Sequence, residues 1–246
     1  MALPEGIDTS SNRPAYPQVA FLGKSFVARY IGPGSGKLMT SAEFNAIRAA
    51  GLAVVFLAEG FEQDALLGYD KGVEHANQAA YDIRTKLWPR DRPVYFAVDF
   101  DMQVDQRPAV RAYLSGCTAV LGLDRVGVYG GIRTTEWAWA NRYASWFFQT
   151  YAWSAGEIGA HTDLYQYRNN VPFAGGVVDL CRGMSTDYGQ TPHALETIGA
   201  APATPPPPVT SGPWDFIPGL GAIAGTVQET TAVLYGAANA TNQLRR

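Results

Sequence analysis

Five acidic residues stand where short apolar runs end. Asp8 follows Gly6-Ile7, Glu59 closes the run 53–58, Asp99 and Asp101 close the run 93–98, and Asp179 lies in the run 177–180. Carboxylates gathered in one partly desolvated place repel one another, so at least one keeps a proton near neutral pH. A protonated acid beside an ionised carboxylate is the pairing that glycosidic bond cleavage requires. On a strand, residues two apart share a face. Tyr95, Ala97, Asp99 and Asp101 therefore point one way, and Val94, Phe96, Val98 and Phe100 the other. Any one of these acids alone also fits a helix N-cap. Their recurrence at four strand ends favours a shared site with Asp8, Glu59, Asp99, Asp101 and Asp179 as catalytic candidates.

The second half of the chain supplies rings. Eleven aromatic residues lie between Tyr129 and Tyr167 inclusive. Trp137, Trp139 and Trp146 read as core, whereas Tyr129, Trp153 and Tyr167 sit at strand ends. There a ring face can stack on the apolar face of a sugar. With Arg29 and Gln166 they form the substrate-binding candidates. Other chemistries lack their patterns. There is no GxSxG elbow, no HExxH, and no Cys/His spacing for zinc, so no metal and no cofactor is expected. Gly32-Pro33-Gly34-Ser35-Gly36-Lys37 misses the GxxxxGK[ST] phosphate-loop spacing.

The elements that must position these residues alternate. Strands are expected at 6–8, 26–31, 53–59, 93–99, 126–129, 147–153, 164–167 and 177–180. Helices are expected at 40–50, 69–87, 105–121 and 134–143. Strands alternating with helices argue for a parallel sheet with crossover helices. Eight strands in that order predict a (β/α)8 TIM-like barrel with its later helices shortened, whose site lies at the carboxyl ends of the strands. An open doubly wound sheet is the alternative, but no GxGxxG follows the first strand.

Composition limits the function further. The 246 residues carry 19 Lys and Arg against 22 Asp and Glu, a net charge of -3, which is no footprint for nucleic acid. Two cysteines, Cys117 and Cys181, are too few for a disulfide scaffold and read as small buried hydrophobes. Neither a secretory signal nor a membrane span is read in the sequence. If the protein acts on a cell envelope, something other than a signal peptide is expected to carry it there. The segment 199–213 holds six of sixteen prolines and reads as an extended linker. It divides a body, 1–198, from a tail, 214–246. The tail is expected to form a docking helix that buries itself in a partner protein or in a second copy of the chain.

The body resembles a glycoside-hydrolase-like domain family related to the family 25 lysozymes. The resemblance rests on GIDTS at 6–10, VARYIG at 27–32, KLMTSAEFNAIRAAGL at 37–52 and GYDKGVEHANQA at 68–79. It continues through RPVYFAVDFD at 92–101, VGVYGG at 126–131, QTYAWS at 149–154, LYQYRN at 164–169 and VDL at 178–180. It implies a TIM-like barrel acting on a bacterial cell-wall glycan, as in actinobacterial envelope proteins and in lysins of their phages. The location it implies is a virion, or host cytoplasm with release at lysis, and the partner it implies for the tail is a phage structural protein. Carried over, Asp8 matches the first-strand acid and Asp179 the eighth-strand acid. Asp99 matches the first acid of an Asp-x-Glu motif, and Asp101 stands where that motif has its acid-donating glutamate. The shorter Asp101 side chain draws the carboxyl back, which leaves Glu59 as an alternative acid. It also leaves a non-catalytic glycan-binding or structural barrel as the alternative function.

Overall fold

The computed structural model describes residues 2–34 and 36–192. The linker and tail expectations lie outside these residues. Eight strands close a barrel in sequence order: β1 (Glu5–Asp8), β2 (Phe26–Tyr30), β3 (Ala53–Ala58), β4 (Val94–Ala97), β5 (Val126–Gly130), β6 (Trp146–Thr150), β7 (Leu164–Phe173) and β8 (Gly176–Gly183). Five helices cross over between the first six strands: α1 (Tyr16–Phe21), α2 (Ser41–Ala49), α3 (Tyr69–Thr85), α4 (Arg107–Leu121) and α5 (Ile132–Ala140).

Local chemistry sets these elements. Thr40 accepts the backbone N–H of Glu43 at 3.1 Å and caps α2. Pro17 starts α1, a helix the sequence reading leaves as loop, because Pro is tolerated in a first turn. The alternation read on β4 holds. Tyr95 and Ala97 pack inside the barrel with Phe26, Val55, Tyr129 and Phe148, while Val94, Phe96 and Val98 pack in the helix layer. Gly127 leaves space for Tyr95, whose ring lies 2.6 Å from where a Cβ would stand.

The uniform (β/α)8 expectation needs correction at its end. β1 to β7 pair in parallel, but β8 runs antiparallel to both β7 and β1. A tight turn through Ala174 and Gly175, both at positive φ, joins β7 to β8. So short a connection can make only a hairpin, since a parallel pair needs a long crossover. No helix follows β6 or β7. Because β8 is reversed, its first half lies at the end where the parallel strands finish. Asp179 therefore pairs directly with Asp8 at the end of β1.

Candidate active site

The carboxyl ends of the parallel strands form a mouth with two connected parts that share Ser10 and Tyr30. One is a cleft of about 580 Å³ bordered by Tyr30, Lys37, Glu59, Phe61, Glu62 and Asp99. The other is a recess of about 100 Å³ bordered by Asp8, Thr9, Tyr30, Asn170 and Asp179.

Asp99 lies two residues past the end of β4, on the inward face the alternation dictates. Burial pushes its carboxyl up to about 6, the Glu59 and Glu62 charges push the same way, and Lys37 opposes them. Glu59 stands beside Asp99 on the cleft wall, and its proximity adds to that rise. Glu59, directly after β3, receives the Lys37 ammonium at 2.5 Å. Lys37 lies 4.8 Å from the centroid of the Tyr30 ring. The cleft thus sets an acid that keeps its proton up to about pH 6 beside a carboxylate held by a cation.

In the recess, Asp8 is only 3% exposed. Burial raises its carboxyl far above the usual range, the charges of Asp179, Glu59 and Asp99 add to this, and Arg29 partly opposes. The Asp8 Oδ1 has no hydrogen-bond partner among the described residues. Burial also raises Asp179. Gln166 ties this half together. Its Nε2 donates to Asp179 at 2.9 Å and to Asp8 at 3.5 Å, and its Oε1 accepts the Tyr129 hydroxyl at 2.9 Å. The backbone N–H of Asn170, at φ 57, donates to the other Asp179 oxygen at 2.8 Å.

Four of the five acids named from sequence thus gather here. Asp101 does not join them. The strand has ended by then, and its half-exposed carboxylate turns to Arg133 of α5 at 3.6 Å. The binding candidates divide as well. Tyr129 and Gln166 are buried and hold the acids rather than facing a ligand. Trp153 is 39% exposed on the turn after β6, at the rim. Tyr167 is corrected: it falls at the register shift after Gln166, and its hydroxyl donates to Glu5 at 2.7 Å on the outer face. Arg29 is corrected too. It is fully buried, and its guanidinium is spent on Glu43 of α2 and on the carbonyls of Thr9, Ser10 and Lys37. It fixes the loop after β1 and the Lys37 backbone, and so shapes the mouth from behind.

Tyr30, Lys37 and Glu62 are missing from the sequence candidates. Tyr30 was within reach of the same alternation, since Phe26 and Ala28 share its inward face. Lys37 sits in a glycine-rich loop without period. Among the described residues no cluster of three His, Cys, Asp or Glu side chains is arranged to hold a metal ion.

The profile of the Rv2525c-like, glycoside hydrolase-like domain matches residues 20–185 of this chain. The chain belongs to that family. It is similar to a Mycobacterium tuberculosis protein, the candidate peptidoglycan hydrolase Rv2525c. The two are 27% identical over 187 residues, covering 70% of this chain and 78% of the relative. The crystal structure of the Tat-secreted Rv2525c superposes with a TM-score of 0.72 at 24% identity, covering 77% of this chain and 99% of that one. The bacterial lysozyme of Streptomyces coelicolor gives a TM-score of 0.50 at 17% identity, covering 75% and 94% of the two chains. At such identities these two structures establish the shared fold alone. The family comparison also corrects the expected location. Rv2525c, which has this barrel, is a Tat-secreted protein. A virion, or host cytoplasm with release at lysis and no signal peptide, is therefore not retained as the route to the envelope. No helix of the described residues is long and apolar enough to cross a membrane.

Proposed function

We propose that the mouth hydrolyses a glycosidic bond of a peptidoglycan-type cell-wall glycan. The observation that carries this reading is the Asp99–Glu59 pair, half-buried and bordering an open cleft, with the Asp99 carboxyl pushed up to about 6 by burial and by the neighbouring charge. In the proposed reaction the C1–O bond breaks and Asp99 gives its proton to the leaving oxygen. The Glu59 carboxylate, oriented by Lys37, faces the positive charge that develops on the sugar ring. A water oxygen then bonds to C1 and returns a proton to Asp99. Asp8 and Asp179, tied by Gln166, border the same mouth and offer acceptors to sugar hydroxyls. The peptidoglycan assignment rests on the family and on the name of the mycobacterial relative. The relatives named above are bacterial proteins, and nothing in the reaction calls for a phage particle.

Incubation with purified mycobacterial-type peptidoglycan tests this reading. It expects new reducing ends from the full chain and at least 100-fold fewer from Asp99→Asn, the loss typical of a missing general acid. One observation favours a second reading, a barrel that grips glycan without cutting it: Asp101, at the position of the resembled motif's acid, points to Arg133 instead. Co-sedimentation with peptidoglycan without any reducing ends would select it.

A further inference from the structure

The turn that leaves β3 carries an exposed ring to the lip of the acid cleft. Phe61 borders the cleft beside Glu59 and Asp99 and is 83% exposed. A single exposed apolar residue needs no explanation on its own. Phe61 differs in how firmly its backbone is held. On one side Lys37, which pairs with Glu59, also donates to the Gly60 carbonyl at 3.3 Å. On the other, Asp64 Oδ2 accepts the Phe61 N–H at 3.0 Å, and the Asp64 N–H donates back to the Phe61 carbonyl at 3.0 Å.

Asp64 is anchored in turn. His75 of α3 approaches the same Oδ2 with Nε2 at 3.3 Å, and its Nδ1 lies 2.9 Å from the Tyr113 hydroxyl of α4. His75 and Tyr113 are both buried. Gly60 fits only because it lacks a Cβ, which would run into the Asp64 carboxylate and lie 3.2 Å from His75 Nε2. A Tyr–His–Asp chain, its tyrosine and histidine buried and its aspartate half-buried, is not used by the proposed reaction and ends on the backbone of one exposed phenylalanine. Burying such polar groups is costly unless each finds a partner, so a set of three spent on a surface turn implies that its position matters.

We infer that Phe61 is the stacking platform for a sugar ring next to the scissile bond, and that Asp64 and His75 are positioning residues that hold its ring over the cleft. The inference rests on the glycan reading above. An aromatic face covers the apolar C–H face of a pyranose, leaving its hydroxyls and bridging oxygen at the edge. Phe61 and Asp99 border one cleft, so a ring on the first brings a linking oxygen within the compartment of the second.

The test uses the full chain as wild type, Phe61→Ala, Phe61→Trp, Asp64→Ala and the double variant F61A/D64A. Unaltered melting confirms folding, and purified peptidoglycan is the ligand. Both co-sedimentation and the substrate dependence of reducing-end release are measured. Phe61→Ala should raise the half-saturating glycan concentration about tenfold, the scale of one aromatic contact, and change kcat less than about threefold. Phe61→Trp should return to within about threefold of wild type. Asp64→Ala should weaken binding, and the double variant should bind no worse than Phe61→Ala, because both lesions remove one platform. Equal saturation of Phe61→Ala and wild type would overturn the platform while leaving the hydrolase reading intact. Losses that add in the double variant would overturn the positioning role. A wild type that neither binds nor cuts peptidoglycan would remove the hydrolase reading and this inference together.

Discussion

The two halves of the mouth use the same residue type for different ends. In the recess, Asp8 and Asp179 are tied by one glutamine, whose amide spends its contacts on them and on Tyr129. In the cleft, Asp99 and Glu59 have no such cross-brace. Glu59 pairs with Lys37, and Asp99 stands between that pair's charges and open volume. Burial raises Asp8 and Asp179 in the recess and Asp99 in the cleft, but only the cleft leaves room for a substrate-sized group beside the raised acid. A raised carboxyl is thus not by itself a site. Asp163 is also pushed up to about 6 by burial, yet it accepts the Phe147 N–H at the opposite end of the barrel.

The largest effect that can break this contrast is on turnover. Asp99→Asn should lower reducing-end release by two orders of magnitude or more, whereas a loss of under about threefold would move the reaction out of the cleft. Next comes the brace. Gln166→Leu keeps the volume but removes the amide from two acids and a tyrosine hydroxyl, leaving buried polar atoms unpaired. Unfolding in urea should show a loss of about 1–3 kcal/mol. An unchanged midpoint would mean that the recess is wetter than it looks.

A smaller effect depends on pH, with a sign fixed by linkage. The Asp99 carboxyl sits at about 6 in the folded protein against an ordinary 3.8. The folded state therefore holds that proton more tightly than the unfolded chain. The resulting stability is complete below about pH 4 and is lost as pH rises through about 6. Asp99→Asn should accordingly stabilise the protein by about 1–2 kcal/mol at pH 8 and by almost nothing at pH 4, after allowance for solvent screening. A gain that is equal at both pH values would contradict the assignment. The smallest effect is expected at the rim. Asp101→Asn breaks a half-exposed ion pair and should change stability by less than about 0.5 kcal/mol and turnover by about twofold at most.

Much of this contrast was legible in the sequence. Alternation along 94–99 placed Asp99 inside and its apolar neighbours outside, because a strand permits nothing else. The same rule, continued to Asp101, failed because the strand had ended at Ala97. Applied to the second strand it selects Tyr30 over Arg29, because Ala28 and Tyr30 face inward and Arg29 between them turns to Glu43 of α2. Tyr167 was misplaced by a register shift that no periodicity announces. The direction of β8 hinged on Ala174-Gly175, a hairpin turn signal that the count of strands and helices passed over. Lys37 reaches Glu59 across 22 residues from an aperiodic loop, and only the closed barrel brings the two together.

The central claim, that Asp99 keeps its proton up to about pH 6 while bordering an open cleft, is tested most directly by titration. The side-chain carboxyl carbon of Asp99 can be followed by NMR from pH 3 to 9, assigned by its absence in Asp99→Asn. The account predicts a midpoint near 6 that moves when Glu59 is replaced by Gln. A midpoint near the ordinary 3.8, unchanged in Glu59→Gln, would contradict it.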